Sequence, residues 1–281
     1  MIQAMSTSST PTSFDLIAFI GGGNMASAII GGLLRQGRKP DTILVVDPGE
    51  AARERLAAQG LRTQAAPDEA LRAANMVVWA VKPQQFKEAA AGTAAFGTGA
   101  LHYSVMAGLR TDDMARLLGT GRIVRAMPNT PALVGQGITG LFARPDVTDA
   151  ERAAIDAVVQ PTGQALWVKQ EADLDAVTAM SGSGPAYVFY FIEAMVQAAA
   201  DMGLSPEQGR ALALATFAGA TALATQSDDS PATLREKVTS KGGTTYAALT
   251  TLEQAGVKAS FIQAMRAAQK RAGELGDEFG R

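Results

Sequence analysis

The chain has 281 residues, with 25 Lys and Arg against 27 Asp and Glu, so its formal charge is -2. That length holds one large or two medium domains, and the charge lacks the basic excess of a nucleic-acid binder. No cysteine and a single histidine are present, which excludes disulfides, a Cys nucleophile and any Cys-based or two-His metal site within one chain, and no metal is expected.

Residues 1–13 are rich in Ser and Thr and carry no Lys or Arg. No apolar run follows, so this segment reads as a flexible tail and not as a secretory leader, and a cytoplasmic location is expected. A strand-like run at 16–20 opens an alternation of short apolar runs and amphipathic stretches. Further strands are predicted at 43–46, 76–81, 101–106 and 123–127, and around Phe142 and 166–168. Helices are predicted near 25–36, 51–59 and 111–118. Continuous apolar strands separated by helices predict a parallel sheet covered on both faces, a doubly wound Rossmann-type α/β domain. The lone His102 falls in the fourth run and reads as structural. A Ser-His-Asp triad would need it, and no nucleophile-elbow motif accompanies it.

From about residue 172 the strand pattern stops. Pro185 suits the first turn of a long helix that Gly203 would end. Ser205, Pro206 and Gln208 form a capping-box signature, and Ser230-Pro231 starts another helix. Residues 211–227 carry no charge but are mostly Ala and Thr. They are too short and too weakly apolar for a membrane span, so a buried helix is expected and no membrane partner. Gly242-Gly243 breaks the chain before two final helices. The second half is therefore predicted to be all-helical.

The first strand runs into Gly21-Gly22-Gly23-Asn24-Met25-Ala26 and then a helix. This is G-x-G-x-x-A in a strand–turn–helix context, a dinucleotide-binding loop. Gly21 would allow the tight turn, Gly23 the approach of a pyrophosphate, and Ala26 close helix packing, with phosphates on the helix N-terminus. Asp47, at the end of the second strand, would accept from ribose hydroxyls and favour NAD. Asp47 to Glu50 also reads as a solvated turn, and Arg53 or Arg55 would suit a 2′-phosphate, so NADP and NAD both stay open.

Four further segments follow in order: Ala80-Val81-Lys82-Pro83; Arg125-Ala126-Met127-Pro128-Asn129-Thr130-Pro131; Ser181-Gly182-Ser183-Gly184-Pro185-Ala186-Tyr187; and Gly242-Gly243-Thr244-Thr245. With the Gly loop they closely resemble pyrroline-5-carboxylate reductases, from residue 14 to about 275. The resemblance implies NADPH- or NADH-dependent reduction of 1-pyrroline-5-carboxylate to L-proline, the last step of proline biosynthesis. It implies a dinucleotide-binding domain over 14–170 and a helical dimerisation and substrate domain over 171–281. It also implies a homodimer, in many members a pentamer of dimers, with the substrate turn facing the partner's nucleotide domain. Position by position, Gly21 to Met25, Asp47, Ala80 to Pro83, and Val105, Met106 and Ala107 correspond to cofactor-binding positions. Asn129, Thr130 and Gly242 to Thr245 correspond to substrate-binding positions. Thr245 corresponds to the catalytic hydroxyl near the imine nitrogen. Three residues depart from the family pattern: Lys241 for Pro, Met106 for a small residue, and Pro67 for a polar one.

Imine reduction needs few acids or bases, because the cofactor carries the hard step and orientation does much of the rest. Two rivals are weaker. A related 3-hydroxyacid dehydrogenase would need a Lys that 181–202 lacks. A non-catalytic cofactor sensor would have no use for the Gly-Gly-Thr-Thr turn.

Overall fold

The computed structural model describes residues 14–97 and 99–279. The expected tail over 1–13 lies outside them. The chain divides into two compact units. Among the described residues, one comprises 14–182 with 268–279, the other Ser183–Ala267.

The first unit is built on an eight-stranded sheet: β1 (Ile17–Ile20), β2 (Ile43–Val46), β3 (Arg62–Gln64), β4 (Met76–Trp79), β5 (Leu101–Ser104), β6 (Ile123–Met127), β7 (Gly137–Ala143) and β8 (Gly163–Trp167). Their spatial order is β3-β2-β1-β4-β5-β6-β7-β8. All neighbours are parallel except β6 and β7, which pair antiparallel. The sequence predicts a wholly parallel sheet. The exception arises because only the short 3-10 turn Thr130–Val134 separates β6 from β7, too little for a helical crossover.

Alternation explains the two faces. Ile17, Phe19, Ile43, Val45, Met76 and Val78 pack into one apolar cluster. Ala18, Ile20, Leu44, Val46, Val77 and Trp79 pack into another. Successive strand residues point to opposite faces, so a strand covered on both sides must be apolar throughout. Burying each large side chain contributes about 1.5–3 kcal/mol. Helices α1 (Asn24–Arg35), α2 (Glu50–Ala57), α3 (Phe86–Thr93), α4 (Thr111–Leu118), α5 (Asp149–Val159) and α6 (Asp173–Val177) complete the unit, together with a π turn at Thr178–Gly182. The strand order reverses at β1, between β2 and β4, and such a switch point opens a crevice at the strands' carboxyl ends.

The second unit contains α7 (Gly184–Asp201), α8 (Pro206–Gln226), α9 (Pro231–Lys237), α10 (Thr244–Gln254) and the first half of α11 (Val257–Phe279). Ser205 and Gln208 form the expected capping box. Tyr187 and Phe191 of α7 both meet Phe261 of α11 edge-on, at 5.6 and 5.8 Å between ring centres. The charge-free stretch of α8 corrects an expectation. Within one chain α8 buries only Gly209 and Ala213, and Leu212 and Leu223 stand more than half exposed. Its low charge predicted burial, but α7 covers only the face that carries Gly209 and Ala213, and the rest of α8 stays open among the described residues.

Candidate active site

The Gly loop is fixed by backbone geometry. Gly21 has φ +99°, and a Cβ there would stand 2.7 Å from the Ala80 carbonyl oxygen. Its N–H donates to the Val46 carbonyl at 2.8 Å, tying the loop to β2. A Cβ on Gly22 would meet Leu56 at 2.9 Å, whereas one on Gly23 would meet nothing within 4 Å. Gly23 is the N-cap of α1 and supplies no side-chain cap. The first N–H groups of α1 therefore point into open space, which suits an anionic group. Ala26 is fully buried, as close packing of α1 requires. Asn24 is exposed, and Met25 packs against the core.

Asp47 follows β2 and is doubly anchored. Its Oδ2 accepts from the Gly22 N–H and its Oδ1 from the Gly49 N–H, both at 2.7 Å. The acid thus clamps the Gly loop to the turn after β2. The two arginines downstream are already engaged. Arg53 donates to the carbonyls of Asp47 at 2.8 Å and Pro48 at 2.7 Å. Arg55 donates to the Gly22 carbonyl at 2.7 Å and the Ser27 hydroxyl at 3.3 Å.

A cavity of about 460 Å³ opens beside this loop. Gly21, Gly23, Asp47, Ala80, Val81 and Lys82 line it, so six of the sequence-derived cofactor positions converge. Gly22, Asn24, Met25, Pro83, Val105, Met106 and Ala107 do not belong to its lining. Pro83 starts the 3-10 turn leading into α3. Val105 bonds the Trp79 carbonyl through its N–H, and Met106 is buried in the core, so its side chain serves packing. Ala107 is exposed just beyond β5.

The opposite wall consists of residues that the sequence reading passes over. Gln85, Glu88, Ala89 and Gly92 line it, and Pro67 faces Gly92. Their spacing of three, four and seven residues marks one face of a helix and was readable as such.

Behind the cavity wall, Trp79 donates its indole N–H to His102 Nδ1 at 3.0 Å. The histidine's other nitrogen therefore carries the ring proton, and it faces the Gly97 backbone without closing a hydrogen bond. Burial, with a smaller contribution from Arg122, pushes the His102 pKa down to about 4, so the ring is neutral at pH 7.

Asn129 spends its side chain locally: Oδ1 accepts from the Ile138 N–H at 3.0 Å and closes the β6–β7 connection. Thr130 is exposed beside it. β6 is held from below by Arg125, whose guanidinium donates to Glu171 at 3.0 Å. Glu171 also accepts from the backbone N–H and hydroxyl of Thr111 at 2.8 and 2.7 Å.

In the second unit, Gly242 takes φ +76° and Gly243 N-caps α10 with no side-chain cap. Thr244 and Thr245 are the first two residues of that helix. Among the described residues no hydrogen bond engages the Thr245 hydroxyl. The same holds for the Thr244 hydroxyl, and the Gly243 N–H is taken by the Ser240 carbonyl at 3.0 Å, so the turn offers the free N–H groups of Thr244 and Thr245 beside two free hydroxyls.

Comparison with known proteins turns this geometry into an assignment. A Pseudomonas aeruginosa pyrroline-5-carboxylate reductase is 42% identical over 267 residues, which is 94% of this chain and 98% of that one. The chain belongs to the pyrroline-5-carboxylate reductase family. A family model described as pyrroline-5-carboxylate reductase dimerisation matches residues 171–275 and includes the Gly242–Thr245 turn. A model described as NADP oxidoreductase, coenzyme F420-dependent, matches residues 16–108 and includes the Gly loop and Asp47. The solved reductase of Coxiella burnetii has a TM-score of 0.87 and 37% identity, covering 93% of this chain and 98% of its own. That of Plasmodium falciparum, solved with NADP bound, has a TM-score of 0.83 and 28% identity, covering 93% of this chain and 98% of its own. Among the described residues of this reductase, no group of three His, Cys, Asp or Glu is placed to hold a metal, and no helix is long and apolar enough to cross a membrane.

Proposed function

We propose that this chain reduces 1-pyrroline-5-carboxylate to L-proline with NADH or NADPH, the last step of proline biosynthesis. One observation carries the reading: near-complete, 42% identical coverage by a reductase of that name. The residues present fit the cofactor, since the Gly21–Gly23 cradle leaves no room for a Cβ at Gly21 and open space beside Gly23.

In this reading Gly21, Gly23 and the N-terminus of α1 hold the pyrophosphate, Asp47 the adenosine ribose, and Ala80 to Lys82 the inner half. The nicotinamide supplies the hydride when bound. Val105 and Ala107, outside the lining of the cavity at the end of β5, would meet the coenzyme only beyond it. The free N–H groups at Thr244 and Thr245 bind the substrate carboxylate, because a helix N-terminus favours an anion, while the Gly243 N–H closes the turn onto the Ser240 carbonyl at 3.0 Å. Thr245 directs its hydroxyl at the ring nitrogen and fixes the imine for attack. Asn129 acts indirectly, by fixing the loop that presents Thr130.

The dimerisation-model match supports a homo-oligomer. We extend this to a homodimer in which Gly242–Thr245 of one chain completes the partner's cofactor site, assembled as a pentamer of dimers in the cytoplasm. Two domains follow, a nucleotide domain over 14–170 and a substrate and dimerisation domain over 171–281. The deciding assay is coenzyme oxidation at 340 nm with 1-pyrroline-5-carboxylate as the sole added substrate, and proline as the product. Absence of proline would reject the reading.

A further inference from the structure

We propose that this reductase selects NADH over NADPH, through the anchored Asp47 carboxylate and, to a smaller extent, through Glu88. The proposal rests on the reading that the cavity beside the Gly loop takes the adenosine half of the coenzyme.

The first step is the rigidity of Asp47. Each of its oxygens already accepts one backbone N–H at 2.7 Å, from Gly22 and from Gly49. Rotating the carboxylate away would break both bonds and release the Gly loop from the turn after β2. The acid must therefore stay where it is when a coenzyme enters. An ionised carboxylate has about four acceptor sites and no donor. Two are used here, and those left over suit the two hydroxyls of an unmodified ribose. A 2′-phosphate brings no donor at neutral pH, and its charge of about -1.5 to -2 meets a fixed negative charge.

The second step is the absence of an answering cation. NADP sites at this position use an arginine. Arg53 and Arg55 occupy the right stretch of chain, but Arg53 is held by the carbonyls of Asp47 and Pro48, and Arg55 by the Gly22 carbonyl and the Ser27 hydroxyl. Freeing either would strip donors from the turn that positions Asp47. Among the described residues lining the cavity, Lys82 is the one cation, and Asp47 and Glu88 are both acids. Lys82 follows β4 just beyond Ala80 and Val81, and Glu88 stands in the first turn of α3. The charge balance of the cavity therefore disfavours one further phosphate.

The test measures dissociation constants of NADH and NADPH by coenzyme fluorescence, and kcat/KM for each with 1-pyrroline-5-carboxylate. Wild type is expected to favour NADH by roughly tenfold or more, the factor that a like-charge contact of a few ångströms at a partly exposed site supports. Asp47→Asn, which removes the charge and keeps an acceptor oxygen for one of the two backbone N–H groups, should bring the two coenzymes within about threefold of each other, chiefly by improving NADPH. Asp47→Ser should do the same with space to spare. Glu88→Gln should shift the ratio in the same direction by about two- to threefold, as suits a more exposed carboxylate. Wild-type binding that favours NADPH, or a ratio unmoved in folded Asp47→Asn and Asp47→Ser proteins, would overturn the proposal. NADH-selective binding without turnover of the imine would instead reject the substrate reading and leave this one standing.

Discussion

Protonation of His102 should cost this protein stability in mildly acidic solution. The ring is buried against Trp79, and its pKa lies at about 4 against an ordinary value of 6.5. The unfolded chain therefore binds the proton more readily between those two values. Stability is fully present above pH 6.5 and is lost as pH falls toward 4. At ~1.36 kcal/mol per pH unit, the gap corresponds to roughly 3 kcal/mol in all, of which about 2 kcal/mol is lost between pH 7 and pH 5. The structural cause is plain: a charged ring would be unsolvated, and its Nδ1 could no longer accept the Trp79 indole proton. The assay is urea unfolding at pH 7, 6 and 5, followed by tryptophan fluorescence. Both tryptophans, Trp79 and Trp167, lie in the sheet unit, so the signal reports that unit. His102→Gln supplies the comparison, because Gln accepts a hydrogen bond but does not titrate. It should be less stable at pH 7 and nearly flat from pH 7 to 5. Equal losses in the two proteins over that range would refute the argument.

Gly21→Ala should abolish coenzyme binding, because its Cβ would clash with the Ala80 carbonyl at 2.7 Å, whereas Gly37→Ala, also at positive φ but with open space around it, should cost ~1–2 kcal/mol of stability and leave binding intact in a fluorescence titration. Thr245→Ala should lower kcat by about 10- to 100-fold with the coenzyme dissociation constant unchanged, and Thr245→Ser should restore most of it in steady-state kinetics. Glu171→Ala should lower stability by ~3–5 kcal/mol in calorimetry, since it leaves the Arg125 guanidinium, only 6% exposed, without its carboxylate. Co-expression of Gly23→Trp with Thr245→Ala should restore about a quarter of the sites if dimers assort randomly and each site draws on two chains. A dead mixture would place each site within one chain.

What could be read from the sequence follows from where the signal was redundant. β2, β6 and α4 fall on the predicted residues, because each combines an apolar pattern with clear turn chemistry at its ends. β3 is Arg-Thr-Gln, an edge strand with no apolar residue to announce it. α3 is passed over because Ala, Gly and Thr dilute its periodicity, and with it goes the far wall of the cavity, including Glu88. α5 is passed over as well, although Thr148 and Glu151 carry the spacing of the capping box that opens it. The position of Asp47 could be inferred from the strand before it. Its two backbone bonds could not, because they depend on how Gly22 and Gly49 fold back onto one side chain. The same holds for Asn129, whose side chain is used within its own loop and not in an open pocket.

The exposed face of the helical unit ties the site to the assembly. Phe189, Tyr190, Met202, Leu212 and Leu223 are each more than half exposed within one chain. Exposed apolar surface of that density marks an interface. The family's dimerisation model spans these residues and the Gly242–Thr245 turn together. The proposed chemistry asks little of the protein beyond an anion-binding turn, a hydroxyl and a rigid cofactor crevice. The elements proposed for those roles lie on separate compact units, the cavity beside the Gly loop on the sheet unit and the Gly242–Thr245 turn on the helical one. A reaction that depends on orientation then depends on whatever fixes one unit against the other. If the partner chain supplies that restraint, stability and activity will share one dependence on protein concentration, since association stabilises the folded protomer by mass action. The small, uncharged residues of α8 fit that role: they let helices approach closely and leave no ion to desolvate when the surface is covered.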